Sequence, residues 1–176
     1  KVSRDFSRLF QYISAAVGPR TRLVYLANPN NPTGTWFDRA ELEACLRAIP
    51  ADVPVVVDEA YHEYVTEPAI GSALALRARH PNLVVTRTFS KGHGLAGLRV
   101  GYAIADAAVV AILNRLRESF NVGGPSLLAA TMGYLAAHKQ KKIASATFMT
   151  SLIDFSAAGE MEVFIDEAQV SSLEKR

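Results

Sequence analysis

The sequence predicts a three-layer α/β fold, a mainly parallel β-sheet with helices on both faces. Three observations predict it. Short runs that are apolar on both faces recur along the chain, as they do in strands buried on either side. Stretches of helical spacing separate them, the pattern of a sheet wound through crossover helices. The composition, 49% hydrophobic and 20% charged over 176 residues, suits one soluble globular domain with a real core.

The elements follow in order. Arg22 to Ala27, "RLVYLA", has strand length and stops at "NPNNPTG", where two prolines and Gly34 forbid continuation. Asp38, with Glu41 three residues on, reads as a helix N-cap. Leu42, Cys45, Leu46 and Ile49 keep helical spacing until Pro50 ends it. Val53 to Val57 is a β-branched strand running into Asp58, and Leu83 towards Ser90 is a third. Arg99 to Ala105 is a fourth strand; Ala107 to Phe120 and Ser126 to His138 read as helices. Past about Gln140 the pattern weakens to a helix and a short strand.

Several function classes are disfavoured. A net charge of +2 is too small to argue for nucleic acid, and "HKQKK" at His138 to Lys142 reads as a solvated helix face. The single cysteine, Cys45, excludes an internal disulfide or a Cys-based zinc site. None of His62, His80, His93 and His138 pairs with another at ligand spacing, so no metal is expected. The apolar runs fall far short of the roughly 20 residues that cross a bilayer, and no signal segment opens the chain. A cytoplasmic protein is expected, and a start at Lys1 rather than Met suggests a fragment, or a processed or trimmed chain.

In open α/β sheets, ligands bind beyond the carboxyl ends of the strands. Three polar loops fall there: Asn28 to Gly34, Asp58 to Tyr61, and Thr88 to Lys91. Taken alone, Asp58 is a cap or an ion-pair partner, Tyr61 a core-edge aromatic and Lys91 a surface lysine. Together they suggest more. A carboxylate ending an apolar strand needs a cation beside it. A partly desolvated lysine among small residues can form a Schiff base. Thr88, Ser90 and Arg99 offer two hydroxyls and a guanidinium to a phosphate. Pyridoxal phosphate asks for this set: Lys91 for its aldehyde, Asp58 for its ring nitrogen, Asn31 and Tyr61 for its phenolic oxygen, and Thr88, Ser90 and Arg99 for its phosphate. In that arrangement Lys91, once released, is also the general base.

Gly92-His93-Gly94-Leu95-Ala96-Gly97 satisfies G-x-G-x-x-G. A dinucleotide site needs a helix after those glycines and an acid about 20 residues on. Here another strand-like run follows, and the position of the acid is Ile112. The small residues are read instead as a sharp turn beside a cofactor.

"NPNNPTG", "VVVDEAYHEYV", "TFSKGHGLAGLRVGY" and "FNVGGPS" closely resemble the fold-type I, class I/II pyridoxal-phosphate aminotransferases, above all the histidinol-phosphate branch. The resemblance covers roughly Arg4 to His138. It implies a partial pyridoxal-phosphate-binding large domain over residues 1–139, with a divergent tail over 140–176. It also implies that Lys91 binds the aldehyde, Asp58 the ring nitrogen, Asn31 and Tyr61 the phenolic oxygen, and Thr88, Ser90 and Arg99 the phosphate. Lys91, Asp58 and Tyr61 are the catalytic residues on this view.

The implied reaction moves an amino group between an amino acid and a keto acid, here histidinol phosphate and 2-oxoglutarate in histidine biosynthesis, in a homodimer. Family members are considerably longer. Their N-terminal phosphate-binding loop and the arginine that clamps the substrate carboxylate have no match here, so this chain alone is expected to turn over little or no substrate. A decarboxylase or lyase of the same fold, or a catalytically incompetent fragment, is the alternative.

Overall fold

The computed structural model describes residues 12–13, 15–116, 118 and 120–140. They fall into two compact units. One runs through Arg87 and takes Ala105–Ala107; the other takes Thr88–Ile104 and resumes at Ala108. The expected helix and strand beyond Gln140, and the division at residue 139/140 as it concerns the tail, lie outside the described residues.

The first unit holds strands β1 (Val24–Ala27), β2 (Val55–Asp58) and β3 (Leu83–Thr88), whose last residue passes into the second unit. Both pairings, β1 with β2 and β2 with β3, are parallel, and Ala27, Asp58 and Thr86 lie level across them. The register brings the carboxyl ends of these strands to one edge, as the sequence predicts for a ligand site.

Helix α1 (Arg39–Ala48) crosses from β1 to β2. It begins with a full capping box. The Asp38 carboxylate accepts from the Glu41 N–H at 2.8 Å, and the Glu41 carboxylate accepts from the Asp38 N–H at 2.9 Å. It ends because Ile49 precedes Pro50 and takes an extended conformation, as steric conflict with a following proline favours. Leu42, Cys45 and Leu46 face inward and pack with Val55, Val57, Leu83, Val85 and Leu76 into one core. That layer anchors the β2 end from below, since Val55 and Val57 are fully buried while Val56 and Asp58 on the alternate face are only half-buried.

The second crossover contains no α-helix. Three 3₁₀ segments, His62–Tyr64, Pro68–Ile70 and Ala73–Arg79, carry it. Pro68 and the positive φ of Gly71 interrupt any longer helix.

The second unit holds β4 (Gly101–Ile104), part of α2 (Ala107–Asn114) and α3 (Gly124–Gln140). Phe89, Val100, Tyr102 and Ala130 form its core, with Phe89 and Tyr102 ring centres 5.6 Å apart. The helix expected to reach Phe120 stops at Asn114. Arg115 and Leu116 donate to carbonyls three residues back, which tightens and ends the turn, and Phe120 has a positive φ of 61°. Helix α3 starts two residues earlier than expected, with Pro125 in its first turn, where a missing N–H costs nothing. Among the described residues no helix is long and apolar enough to cross a membrane.

Candidate functional site

In the first unit the loop after β1 is pinned by Asn28, a buried amide. Its side chain donates to the Phe37 carbonyl at 3.1 Å and accepts from the Phe37 N–H at 2.9 Å. Its own N–H donates to the Asp58 carbonyl at 2.9 Å. One polar residue thereby satisfies three backbone groups and closes the loop over Pro29 to Trp36. Within the loop Asn30 bonds Thr33 at 2.6 Å, and Gly34, at φ 66°, donates to the Asn30 carbonyl at 2.8 Å. The Asn28–Pro29 and Asn31–Pro32 peptide bonds are cis.

This folding delivers Asn31 to Tyr61. The Asn31 amide donates to the Tyr61 hydroxyl at 2.9 Å, joining two loops 30 residues apart. The two side chains singled out from sequence as a pair are a pair in space. With Trp36, Tyr64, Glu67 and Ile70 they line an open groove of about 430 Å³.

Asp58 caps the end of β2. One carboxylate oxygen accepts from the Ala60 N–H at 3.0 Å and the other from the Tyr25 hydroxyl. Desolvation, that hydrogen bond and the Asp58 charge, in that order, hold the Tyr25 phenol well above its ordinary range, so it stays a donor. Sequence reasoning missed Tyr25. The available signal was register: Tyr25 sits opposite Val56, which makes it the diagonal neighbour of Asp58 on the same sheet face.

In the second unit the chain leaves β3 through Phe89, whose N–H bonds the Val100 carbonyl at 3.0 Å. Lys91 opens a turn closed by the Gly94 N–H on its carbonyl at 2.9 Å, with Gly94 at φ 69°. Lys91 itself is exposed. The glycine pattern is followed by a 3₁₀ turn at Ala96–Leu98 and then β4, not by the helix a dinucleotide site requires.

Thr88, Ser90 and Arg99 come together. The Thr88 hydroxyl accepts from the Ser90 N–H at 3.0 Å, and Arg99 reaches the Ser90 hydroxyl at 3.4 Å. Arg99 also donates to the Ala96 carbonyl at 2.8 Å. Its backbone is left-handed, φ 54°, a conformation that costs a non-glycine residue on the order of 1–3 kcal/mol and clusters at functional sites. Two hydroxyls and a steered guanidinium, one to eight positions from Lys91, form a set suited to a phosphate.

The model for aminotransferase class I and II matches residues 1–159. Histidinol-phosphate aminotransferase 1 of Nitrosococcus oceani is 51% identical over 129 residues, 73% of this chain and 35% of that protein. Histidinol-phosphate aminotransferase 2 of Pseudomonas aeruginosa is 55% identical over 128 residues, again 73% of this chain and 35% of its relative. Among solved structures, histidinol-phosphate aminotransferase from Sinorhizobium meliloti in complex with pyridoxal 5′-phosphate aligns with a TM-score of 0.66 at 31% identity, over 78% of this chain and 36% of that one. L-Threonine-O-3-phosphate decarboxylase from Porphyromonas gingivalis aligns at 0.61 and 27% identity, over 71% of this chain and 37% of that one. The chain therefore spans about a third of the length of these curated relatives. Its motifs, its parallel sheet and the family match agree, and the chain belongs to the class I and II aminotransferases.

Proposed function

We propose that this chain carries the cofactor-binding centre of a pyridoxal-phosphate aminotransferase that exchanges an amino group between histidinol phosphate and 2-oxoglutarate. The observation that carries the reading is the meeting of Asn31 and Tyr61 at 2.9 Å, three residues along from a carboxylate held at a strand end. The residue types in each unit suit the cofactor. Asp58 offers an anion for a protonated ring nitrogen, Tyr61 a hydroxyl oriented by Asn31 for the phenolic oxygen, and Thr88, Ser90 and Arg99 a clustered anion site.

Pyridoxal phosphate, when bound, supplies an aldehyde and an electron-withdrawing ring that stabilises negative charge at the substrate α-carbon. The residues of this chain do the rest. Asp58 would keep a positive charge on the ring nitrogen, and Tyr25 and the Ala60 N–H hold its carboxylate in place. Lys91 would hold the cofactor's aldehyde, and its free amine would be the base for the substrate α-proton. The same reading makes the whole protein a cytoplasmic homodimer acting on a small-molecule amino acid and a keto acid. The similarity to a decarboxylase at a TM-score of 0.61 supports a second reading, loss of carbon dioxide with the same lysine and aspartate.

Borohydride reduction after incubation with pyridoxal phosphate, followed by peptide mass mapping, tests the centre. The expected result is an adduct concentrated on Lys91 and lost in Asp58→Ala; adducts scattered over surface lysines would overturn it. With the full-length protein, histidinol phosphate plus 2-oxoglutarate should yield glutamate, and release of carbon dioxide instead would favour the second reading.

A further inference from the structure

We propose that Glu59 is a positioning residue, clamped from behind by Arg87 so that the segment carrying Tyr61 is held in register with Asp58. The inference rests on the reading of Asp58 and Tyr61 as cofactor-binding residues.

Glu59 is 2% exposed, a degree of burial that a carboxylate tolerates only when paired and hydrogen-bonded. Its partners are complete. Arg87 on β3 gives two bonds to one oxygen, from Nε at 3.0 Å and Nη2 at 2.7 Å. The Ser72 hydroxyl donates at 3.0–3.1 Å, and the Ala73 N–H donates at 2.6 Å. The His62 imidazole lies 3.9 Å away. Arg87 also donates to the Ser72 hydroxyl at 3.0 Å, which closes the three side chains into a ring.

The backbone is held as well. The Glu59 N–H donates to the Thr86 carbonyl at 2.9 Å, and its carbonyl accepts from the His62 N–H at 3.0 Å.

These bonds tie the two ends of the loop from Glu59 to Ala73 to each other and to β3. Tyr61 hangs from that closed loop, as do Tyr64, Glu67 and Ile70 of the groove wall. Asn31 also holds Tyr61, but through a single bond from a loop of its own. Asp58 and Glu59 are consecutive at a strand end, where side chains alternate in direction. One carboxylate can thus serve the ligand side while its neighbour secures the loop from the core side.

The test uses the chain loaded with pyridoxal phosphate. Wild type, Tyr61→Phe, Glu59→Gln and the double variant Glu59→Gln/Arg87→Met are compared, the last because removing both charges leaves neither buried alone. Three readouts are taken: the site of borohydride labelling, the affinity for pyridoxal phosphate, and the pH midpoint of the bound cofactor's absorbance. A donor to the phenolic oxygen sets that midpoint, so Tyr61→Phe shifts it directly. The expected result for Glu59→Gln and the double variant is labelling still on Lys91, affinity weaker by about tenfold, the scale of one charge-assisted hydrogen bond, and a midpoint moved in the direction of Tyr61→Phe by a smaller amount. Ser72→Ala, which removes one partner and leaves the ion pair, should give a smaller shift of the same sign and keeps the test open should the others lose their fold. An unchanged midpoint in a folded variant, with Tyr61→Phe shifted, overturns the positioning role. Wild type that fails to label Lys91 overturns the functional reading instead.

Discussion

Asp58 shows how much a single residue's role depends on a neighbour that no motif contains. Its position at the end of an apolar strand was legible from the sequence. The Tyr25 hydroxyl on it was not legible, because the contact exists only once β1 and β2 take their parallel register. Arg99 divides the same way. Its charge eight residues after Lys91 could be read in advance, but the left-handed backbone that turns it to Ser90 could not, since nothing in "GLRV" requires φ 54° of an arginine. A prediction follows for Tyr25. Removing its hydroxyl takes one donor from the Asp58 carboxylate, which keeps the Ala60 N–H and is only half-buried. Tyr25→Phe should therefore weaken pyridoxal phosphate binding by a few-fold, at most about tenfold, with little change in stability. Titration of the cofactor into both proteins measures it, and equal affinities would show that Asp58 needs no help from β1.

At the scale of elements, starts and stops with dedicated chemistry were legible, and those set by packing were not. Helix α1 carries a capping box and a following proline, and both of its ends fall where those signals put them. The early stop of α2 at Asn114 has no such marker, and i→i−3 bonding decided it; in the 3₁₀ crossover after Tyr61 the markers Pro68 and Gly71 say where a helix breaks but not that the remaining turns are 3₁₀. The capping box makes α1 a good place to measure local stability. Asp38→Ala should cost about 1 kcal/mol, the usual value of an N-cap side chain. Cys45, two turns along and buried in the core, provides the reporter, since burial pushes its thiol up to about 11. Only on the order of a thousandth of it is thiolate at pH 8, so alkylation in the native protein should be slow and should follow opening of α1. Asp38→Ala should speed that labelling by about the factor of five that 1 kcal/mol represents; an unchanged rate would mean that Cys45 reacts without α1 opening.

For the molecule as a whole, the parallel sheet and the order of the motif loops could be read from the sequence, because each depends on patterns a few residues long. The fate of the apolar surface could not, because burial is a property of everything the chain meets. Phe120 is 98% exposed and Leu116 75%, and Ile112, Leu128 and Met132 are each more than half exposed. Ile112 with Leu116, and Leu128 with Met132, are spaced four apart, so on helical or near-helical backbone each pair shares a side. Isolated exposed apolar residues are ordinary, but five large ones within 21 positions of one unit are a surface that water disfavours. This chain matches only 35% of the length of its curated relatives, so much that could cover such a surface in them has no counterpart in it. The chain on its own should therefore self-associate, with an apparent mass by light scattering that rises with concentration. Leu116→Lys combined with Met132→Lys should lower that mass without altering the far-ultraviolet circular dichroism. A concentration-independent monomer in the unsubstituted chain would show that these side chains cover one another in solution.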